Sequence, residues 1–287
     1  MTTPAAETKG TPMTKPQQLY VDLIKKTLSF SLWAEPPYPI ELAYSGRFGR
    51  MIMSVVGGFF RLFRLRLMVS RKTTEEQRAG GELWPPGYAD SMIGTKRLDN
   101  LHYCVETVLS QNIPGDFIET GVWRGGACIF MKAILAASGV KDRKVFVADS
   151  FQGLPEPDAE KYPLDKGDTH HLFDSVLAVS DAQVRRNFEK YGLWDDSVVF
   201  LKGWFKDTLP TAPIKQLAIL RLDGDMYSST IEVLETLYPK LSKGGFCIID
   251  DYALAGCRKA VDDYRAKNGI TTPIETIDWT GRWWRKE

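Results

Sequence analysis

Asp223 and Asp225 flank a glycine at the end of an apolar run, Leu217, Ala218, Ile219 and Leu220, which Arg221 interrupts and Leu222 resumes. The run has the length and composition of a buried parallel strand. A second run, Gly245-Phe246-Cys247-Ile248-Ile249, ends the same way, in Asp250-Asp251-Tyr252. Ligands of open α/β sheets sit beyond the carboxyl ends of the strands. Two neighbouring strand ends would therefore aim these carboxylates into one crevice. Like charges at such range repel, so a cation or bound protons must balance them. An oxygen-only cluster of this kind suits a hard divalent ion such as Mg²⁺.

A second constellation lies earlier. Asp116-Phe117-Ile118-Glu119-Thr120-Gly121-Val122-Trp123-Arg124-Gly125-Gly126 reads as a strand running through a glycine-rich turn into a helix. Glycines there let the backbone approach a ligand closely. The spacing is not that of a dinucleotide fingerprint, because Trp123 occupies a glycine position. Glu119 would repel a pyrophosphate and suits a ligand carrying positive charge. Asp149 ends the next strand, where an acid can hydrogen-bond a ribose diol. A plain turn with capping acids is the alternative for any single glycine-rich turn. A nucleoside with a cationic tail fits all three features together, and S-adenosylmethionine is such a molecule.

These residues need a scaffold, and the chain supplies alternating elements. Strands are predicted at 116–119, 144–148, 197–201, 217–222 and 245–249. Helices are predicted at 97–110, 126–138, 181–191, 229–241 and 256–267, with a helical turn at 206–209. Strands alternating with helices give a doubly wound, mostly parallel α/β sheet. The runs at 273–278 and 281–285 have only Trp279-Thr280 between them and are predicted to close the sheet as an antiparallel hairpin. Trp283 and Trp284 fall there as core and edge residues. Ahead of the sheet, residues 18–30 have helical spacing of Leu19, Leu23, Ile24 and Leu28. Residues 45–72 carry only positive charges among apolar side chains. That stretch reads as a helix packed on the domain or on a second subunit, as a mobile lid, or as a membrane-surface patch. The expected division is a disordered tail at 1–17, a helical cap at 18–96 and the catalytic domain at 97–287.

Length and composition bound the class. A chain of 287 residues, 25% of them charged and with a net charge of +1, is that of an ordinary globular protein with no bias towards nucleic acid. Cys104, Cys128, Cys247 and Cys257 form no CxxC pair and read as reduced, structural thiols, in keeping with the cytoplasm. No apolar leader is expected in the Thr/Pro-rich first 15 residues, and no run is apolar enough for a transmembrane segment.

The motifs ETGVWRGGA, ADSFQG, FLKGWFKDTLP, LRLDGDMYSST and GGFCIIDDY, in this order from about Leu83 to the C-terminus, resemble the macrocin and mycinamicin O-methyltransferases, a group that includes a noviose 4-O-methyltransferase. The resemblance implies a class I methyltransferase fold and methylation of a sugar hydroxyl on an antibiotic-type glycoside, using S-adenosylmethionine and Mg²⁺. It implies that Glu119, Thr120, Gly121, Val122 and Trp123 line the methionine and ribose part. Asp149, Ser150 and Phe151 would hold the ribose, Gly203 and Trp204 would lie near the adenine, and Ser91 and Met92 would close over the cofactor. Asp223, Asp250 and Asp251 match the metal ligands and Asp225 the general base. The expected partner is a small glycosylated acceptor, and the enzyme is expected to be a homo-oligomer.

Competing readings attach to several residues. Asp225 is either the base or a cap for the helix behind it, with Ser228 or Ser229 able to cap instead; the catalytic role is preferred. His170 and His171 are other candidate bases, although a polar insertion more often holds solvated histidines. Asp223-Gly224-Asp225 also has the form used by metal-dependent glycosyltransferases, and a catechol-type O-methyltransferase would use a similar metal site. A binding module built on the basic stretch leaves the carboxylates without a purpose.

Overall fold

The computed structural model describes residues 13–40, 47–70, 73–83, 85 and 87–287. Most of the expected tail, and Ser45, Gly46, Arg71 and Lys72 of the basic stretch, lie outside the described residues. The elements run α1 (Lys15–Leu28), β1 (Tyr38–Pro39), α2 (Arg47–Leu62), β2 (Met68–Val69), α3 (Glu75–Ala79), α4 (Thr95–Ser110), β3 (Asp116–Thr120), α5 (Gly126–Ala137) and β4 (Val145–Asp149). They continue with α6 (Asp174–Leu177), α7 (Asp181–Lys190), β5 (Val198–Lys202), α8 (Phe205–Thr208), β6 (Leu217–Leu222), α9 (Tyr227–Leu237), β7 (Leu241–Ile249), α10 (Ala255–Lys267), β8 (Glu275–Thr276) and β9 (Arg282–Arg285).

The main sheet has the order β5-β4-β3-β6-β7-β9-β8. Strands β3 to β7 are parallel, and β9 and β8 close the edge antiparallel, as the sequence predicts. Both faces are covered, which is why the strands read as near-continuous apolar runs. Alternate residues divide between two cores. Phe117, Val145, Val147, Phe246 and Ile248 face one, with α1, α4 and α5. Ile118, Phe146, Leu220, Cys247 and Ile249 face the other, with α9 and α10. Trp284 is fully buried in the second core, where its indole N–H donates to the Tyr238 hydroxyl at 3.1 Å.

Three boundaries differ from expectation for physical reasons. Helix α1 starts at Lys15, inside the expected tail, because Thr14 and Gln17 form a capping box. Helix α9 stops at Leu237 because Pro239 has no N–H to continue the ladder; a 3-10 turn (Tyr238–Lys240) follows. Strand β7 then begins at Leu241 and crosses an irregularity in its pairing with β6 before Phe246.

Most of the described basic stretch forms α2, whose apolar residues divide: Met53, Val56 and Phe60 are half-buried, while others stand exposed. Phe48, Val55 and Leu62 are 72%, 69% and 81% exposed. That exposed side has no cover among the described residues.

Candidate active site

The strand ends are laced together sideways, and this lacing assembles the site. The Gly203 N–H donates to the Asp149 carbonyl, Gly121 to Ala148, Asp223 to Thr120 and Asp250 to Leu222, at 2.8–2.9 Å. Each turn thus hangs on the neighbouring strand, and the loops after β3, β4, β5, β6 and β7 form one rim. The contact is closest between the glycine turn and the acidic turn. Gly121 has φ +84°, and a Cβ there would lie 1.6 Å from the Asp223 carbonyl oxygen. Only glycine can occupy that position.

A cavity of about 410 Å³ opens on this rim. Its lining includes Ser91, Met92, Glu119, Gly121, Val122, Trp123, Asp149, Ser150, Gly203 and Trp204, together with Asp223, Asp225, Asp250 and Asp251. Thr120 and Phe151 are not among its lining residues. The Thr120 hydroxyl is buried against the Arg221 carbonyl, and the Phe151 ring stacks on Phe200 at 5.5 Å. What Phe151 offers towards the site is its backbone N–H, which donates to Asp149 Oδ1 at 2.7 Å. Asp149 Oδ2 accepts from the Val122 N–H, also at 2.7 Å. The acid that ends β4 therefore shapes the glycine turn. Ser91 reaches the rim because Gly126 leaves room for it: a Cβ at 126 would come within 2.6 Å of Ser91 Cβ.

Glu119 lines the cavity at its floor and is almost wholly buried. One carboxylate oxygen binds the Arg221 guanidinium, and the other accepts from the Cys128 backbone N–H at 3.1 Å. Arg221 also bonds Asp223 Oδ2 at 3.0 Å and grips Asp250. Arg97 holds the other oxygen of Asp250, and its Nε donates to Asp278 at 2.9 Å. The sequence marked Arg221 only as a break in an apolar run and did not mark Arg97 at all. The missed signal for Arg221 is register, since it is the β6 partner of Glu119 on β3.

Asp223, Asp250 and Asp251 each place a carboxylate oxygen within 4.8 Å of the others. Two guanidinium groups face more carboxylates here than they can neutralise. Loss of water pushes the Asp223 and Asp251 carboxyls well above the usual range, and the surrounding acids add to it. Asp225 is pushed up to about 6, first by burial and further by Asp250 and Asp168, with His170 pulling the other way. The excess of negative charge and the all-oxygen donor set fit a hard divalent cation. Arg97 and Arg221 would hold Asp250 still while Asp223 and Asp251 closed on the ion.

Asp225 takes a left-handed conformation, φ 57°, and its N–H donates to Asp251 Oδ2 at 3.2 Å. It does not cap α9. That task falls to Asp165, from the polar insertion between β4 and α7, whose carboxylate accepts from the Tyr227 and Ser228 N–H groups at 2.7 and 3.0 Å. Nothing in the sequence singled out Asp165. The insertion is pinned again where the Trp123 indole N–H donates to the Val176 carbonyl at 2.8 Å. It roofs the cavity with Gly153, Leu154, Pro155 and Tyr162 ahead of Asp165, and with His170 between the two fastenings. Trp279 and Thr280, the expected tight link of the closing hairpin, reach the cavity from the far side.

A profile of the macrocin O-methyltransferase family (TylF) matches residues 17–286. The chain belongs to this family. It is accordingly an O-methyltransferase, and the glycosyltransferase and binding-module alternatives fall away. The structure of the O-methyltransferase NovP superposes with a TM-score of 0.80 at 46% identity, over 94% of this chain and 99% of that one. The chain is 49% identical to an 8-demethyl-8-(2,3-dimethoxy-alpha-L-rhamnosyl)-tetracenomycin-C 4'-O-methyltransferase of Streptomyces olivaceus, over 94% of this chain and 93% of that protein. It is 45% identical to the mycinamicin III 3''-O-methyltransferase of Micromonospora griseorubida, over 94% and 96%. The calicheamicin methyltransferase CalS11, at 15% identity and a TM-score of 0.56, shares the fold. The TylF fold is that of the S-adenosylmethionine-dependent methyltransferases, so this is the methyl donor. Among the described residues no helix is long and apolar enough to cross a membrane.

Proposed function

We propose that this TylF-family enzyme methylates a hydroxyl of a sugar on an antibiotic-type glycoside, with Mg²⁺ at the carboxylate cluster and Asp225 as proton acceptor. The observation that carries the reading is the meeting of Asp223, Asp250 and Asp251 on the same rim as Gly121 and Asp149, with Asp225 beside them. The names of the tetracenomycin and mycinamicin relatives support a glycosylated acceptor.

Val122 and Trp123, with the glycine turn, are assigned to the methionine part of the donor. Asp149 and Ser150 are assigned to the ribose, and Gly203 and Trp204 to the adenine. Ser91 and Met92 cover this end, and Thr120 and Phe151 act from behind the wall. Glu119, in the cavity lining and held by Arg221, is assigned with Val122 and Trp123 to the methionine and ribose part. Asp223, Asp250 and Asp251 would hold the divalent ion, which when bound lowers the pKa of hydroxyls beside it. Asp225, whose carboxyl sits at about 6, is ionised at neutral pH and takes the hydroxyl proton as the methyl group arrives. Transfer from a sulfonium is an in-line displacement, so the rigidity of the laced rim supplies rate by positioning.

The assembly we infer is a homo-oligomer, in which the apolar side of α2 finds cover on a second copy and contributes to an acceptor-side cap. The four buried, unbridged cysteines suit a cytoplasmic protein. The deciding experiment incubates the enzyme with S-adenosylmethionine, with or without EDTA, and with glycosides or catechols, and follows a mass gain of one methyl. Transfer to a glycoside that chelator abolishes is the expected result. Transfer to catechols alone would replace the sugar reading with the catechol-type one.

A further inference from the structure

The mechanism above leaves His170, in the cavity lining, and its partner Asp168 without a task. Asp168 and His170 lie in the roofing insertion, and His170 is part of the cavity lining that also contains Asp225. The imidazole Nδ1 stands 3.0 and 2.8 Å from the two carboxylate oxygens of Asp168. The His170 backbone N–H donates to the same carboxylate at 2.8 Å. A carboxylate can only accept, so Nδ1 carries hydrogen and the tautomer and ring orientation are set. The opposite edge, Nε2, remains to meet a ligand. His170 and Asp225 sense each other's charge, and the pull of Asp168 and Asp225 outweighs partial burial to raise the imidazole's affinity for its proton.

The ring is also held at a fixed place. Five residues earlier Asp165 is fastened to the start of α9, and six residues later Val176 is fastened to Trp123. A solvated loop histidine needs none of these restraints. The neighbouring His171 provides the contrast, since it is absent from the cavity lining and its Nδ1 is buried with no hydrogen-bond partner.

We propose that His170 is an acceptor-contacting residue, its Nε2 edge hydrogen-bonding a sugar hydroxyl beside the one that Asp225 deprotonates, and that Asp168 is the residue that positions it. The proposal rests on the reading of this cavity as the site of sugar methylation. It assigns the acceptor to the side of the rim under the insertion, and it makes a free hydroxyl next to the methylated one a requirement of the substrate.

The test compares wild type, His170→Ala, His170→Gln and Asp168→Asn with demethyldecarbamoylnovobiocin, the substrate named for a relative 55% identical over 213 residues. Acceptor KM and kcat are measured alongside the affinity for S-adenosylhomocysteine by calorimetry. Loss of one hydrogen bond to the acceptor should raise KM about tenfold in both His170 variants, and Asp168→Asn should move KM in the same direction by less. Affinity for S-adenosylhomocysteine should stay within about twofold, which separates a lost acceptor contact from a damaged fold. An unchanged acceptor KM in His170→Ala overturns the proposal, as does a parallel loss of S-adenosylhomocysteine binding in every variant. A wild-type enzyme that binds S-adenosylhomocysteine but neither binds nor methylates the glycoside overturns the acceptor reading itself, and this inference with it.

Discussion

Arg221 on β6 stands in register with Glu119 on β3 and binds its carboxylate beneath the cavity, while its other nitrogen grips Asp250 at the end of β7. One guanidinium thus ties together the turn assigned to the methyl donor and the acids assigned to the metal. Burial works against its charge, but Asp250, Glu119 and Asp223 outweigh that cost and hold the proton firmly.

Replacing Arg221 by Met should therefore strand buried carboxylates and cost about 3–5 kcal/mol of stability. The double variant Arg221→Met with Glu119→Gln should recover part of that loss. Urea unfolding of the three proteins checks this. Equal stability of the single and double variants would mean that Glu119 tolerates isolation and the pair is not a structural tie.

Metal dependence should be separable from cofactor binding. Asp251→Asn should cut methyl transfer at least 100-fold while S-adenosylhomocysteine binds as in wild type, because Asp251 belongs to the acidic side of the rim. Full transfer in EDTA, or an unimpaired Asp251→Asn, would reduce the cluster to mutual support among turns.

Asp149→Ala should do the reverse. Its carboxylate accepts the Val122 and Phe151 N–H groups, so its loss slackens the glycine turn and removes the ribose partner. Affinity for S-adenosylhomocysteine should fall about tenfold or more, with about 1–2 kcal/mol lost from the fold. Wild-type affinity in calorimetry would contradict the ribose assignment.

Stability without metal should depend on pH through the acidic turn. The Asp225 carboxyl, at about 6 in the folded chain against 3.8 when free, binds its proton more tightly when folded. Ionisation therefore costs stability as pH rises from near 3.8 through about 6, on the order of 3 kcal/mol once complete. A divalent cation should cancel that cost. Added Mg²⁺ should raise the melting temperature by several degrees more at pH 7.5 than at pH 5, and equal gains at the two values would refute the argument.

Asp165→Ala should loosen the join between the insertion and α9. Losing a cap that serves two N–H groups costs about 1–2 kcal/mol. Because α9 begins two residues after Asp225, kcat should fall more than S-adenosylhomocysteine affinity. A drop in both by the same factor would point to general unfolding instead.

The sheet was legible because its signal is local. Apolar runs of strand length alternate with helical spacing, and Gly121 and Asp223 fall at strand ends by simple counting. The carboxylate cluster was legible for the same reason, since Asp250-Asp251 repeats the pattern of Asp223-Gly224-Asp225 one strand away. What escaped was pairing across distance. Arg97 reaches Asp250 and Asp278 across more than 150 positions, and Asp165 reaches Tyr227 across 62. Neither shows any periodicity, and each is chosen by where the folded elements pass each other. Glu119 was placed correctly at a strand end, but its depth follows from Arg221, whose meaning depends on register. The apolar side of α2 was legible as a pattern and not as a location, because amphipathic spacing reveals that a face wants cover without saying what supplies it.

The fit of Gly121 against the Asp223 carbonyl has a bearing on how acceptor range can be altered. With no room for a single carbon between the two turns, a side chain at 121 would push directly on the Asp223 backbone, so the site cannot be widened by bulk placed at that contact. The insertion is different, since it meets the rim through a few discrete fastenings such as Asp165 and Trp123. Exchange of the insertion for that of a related enzyme, with Asp165 and the Trp123–Val176 bond kept, should let this scaffold accept a new glycoside.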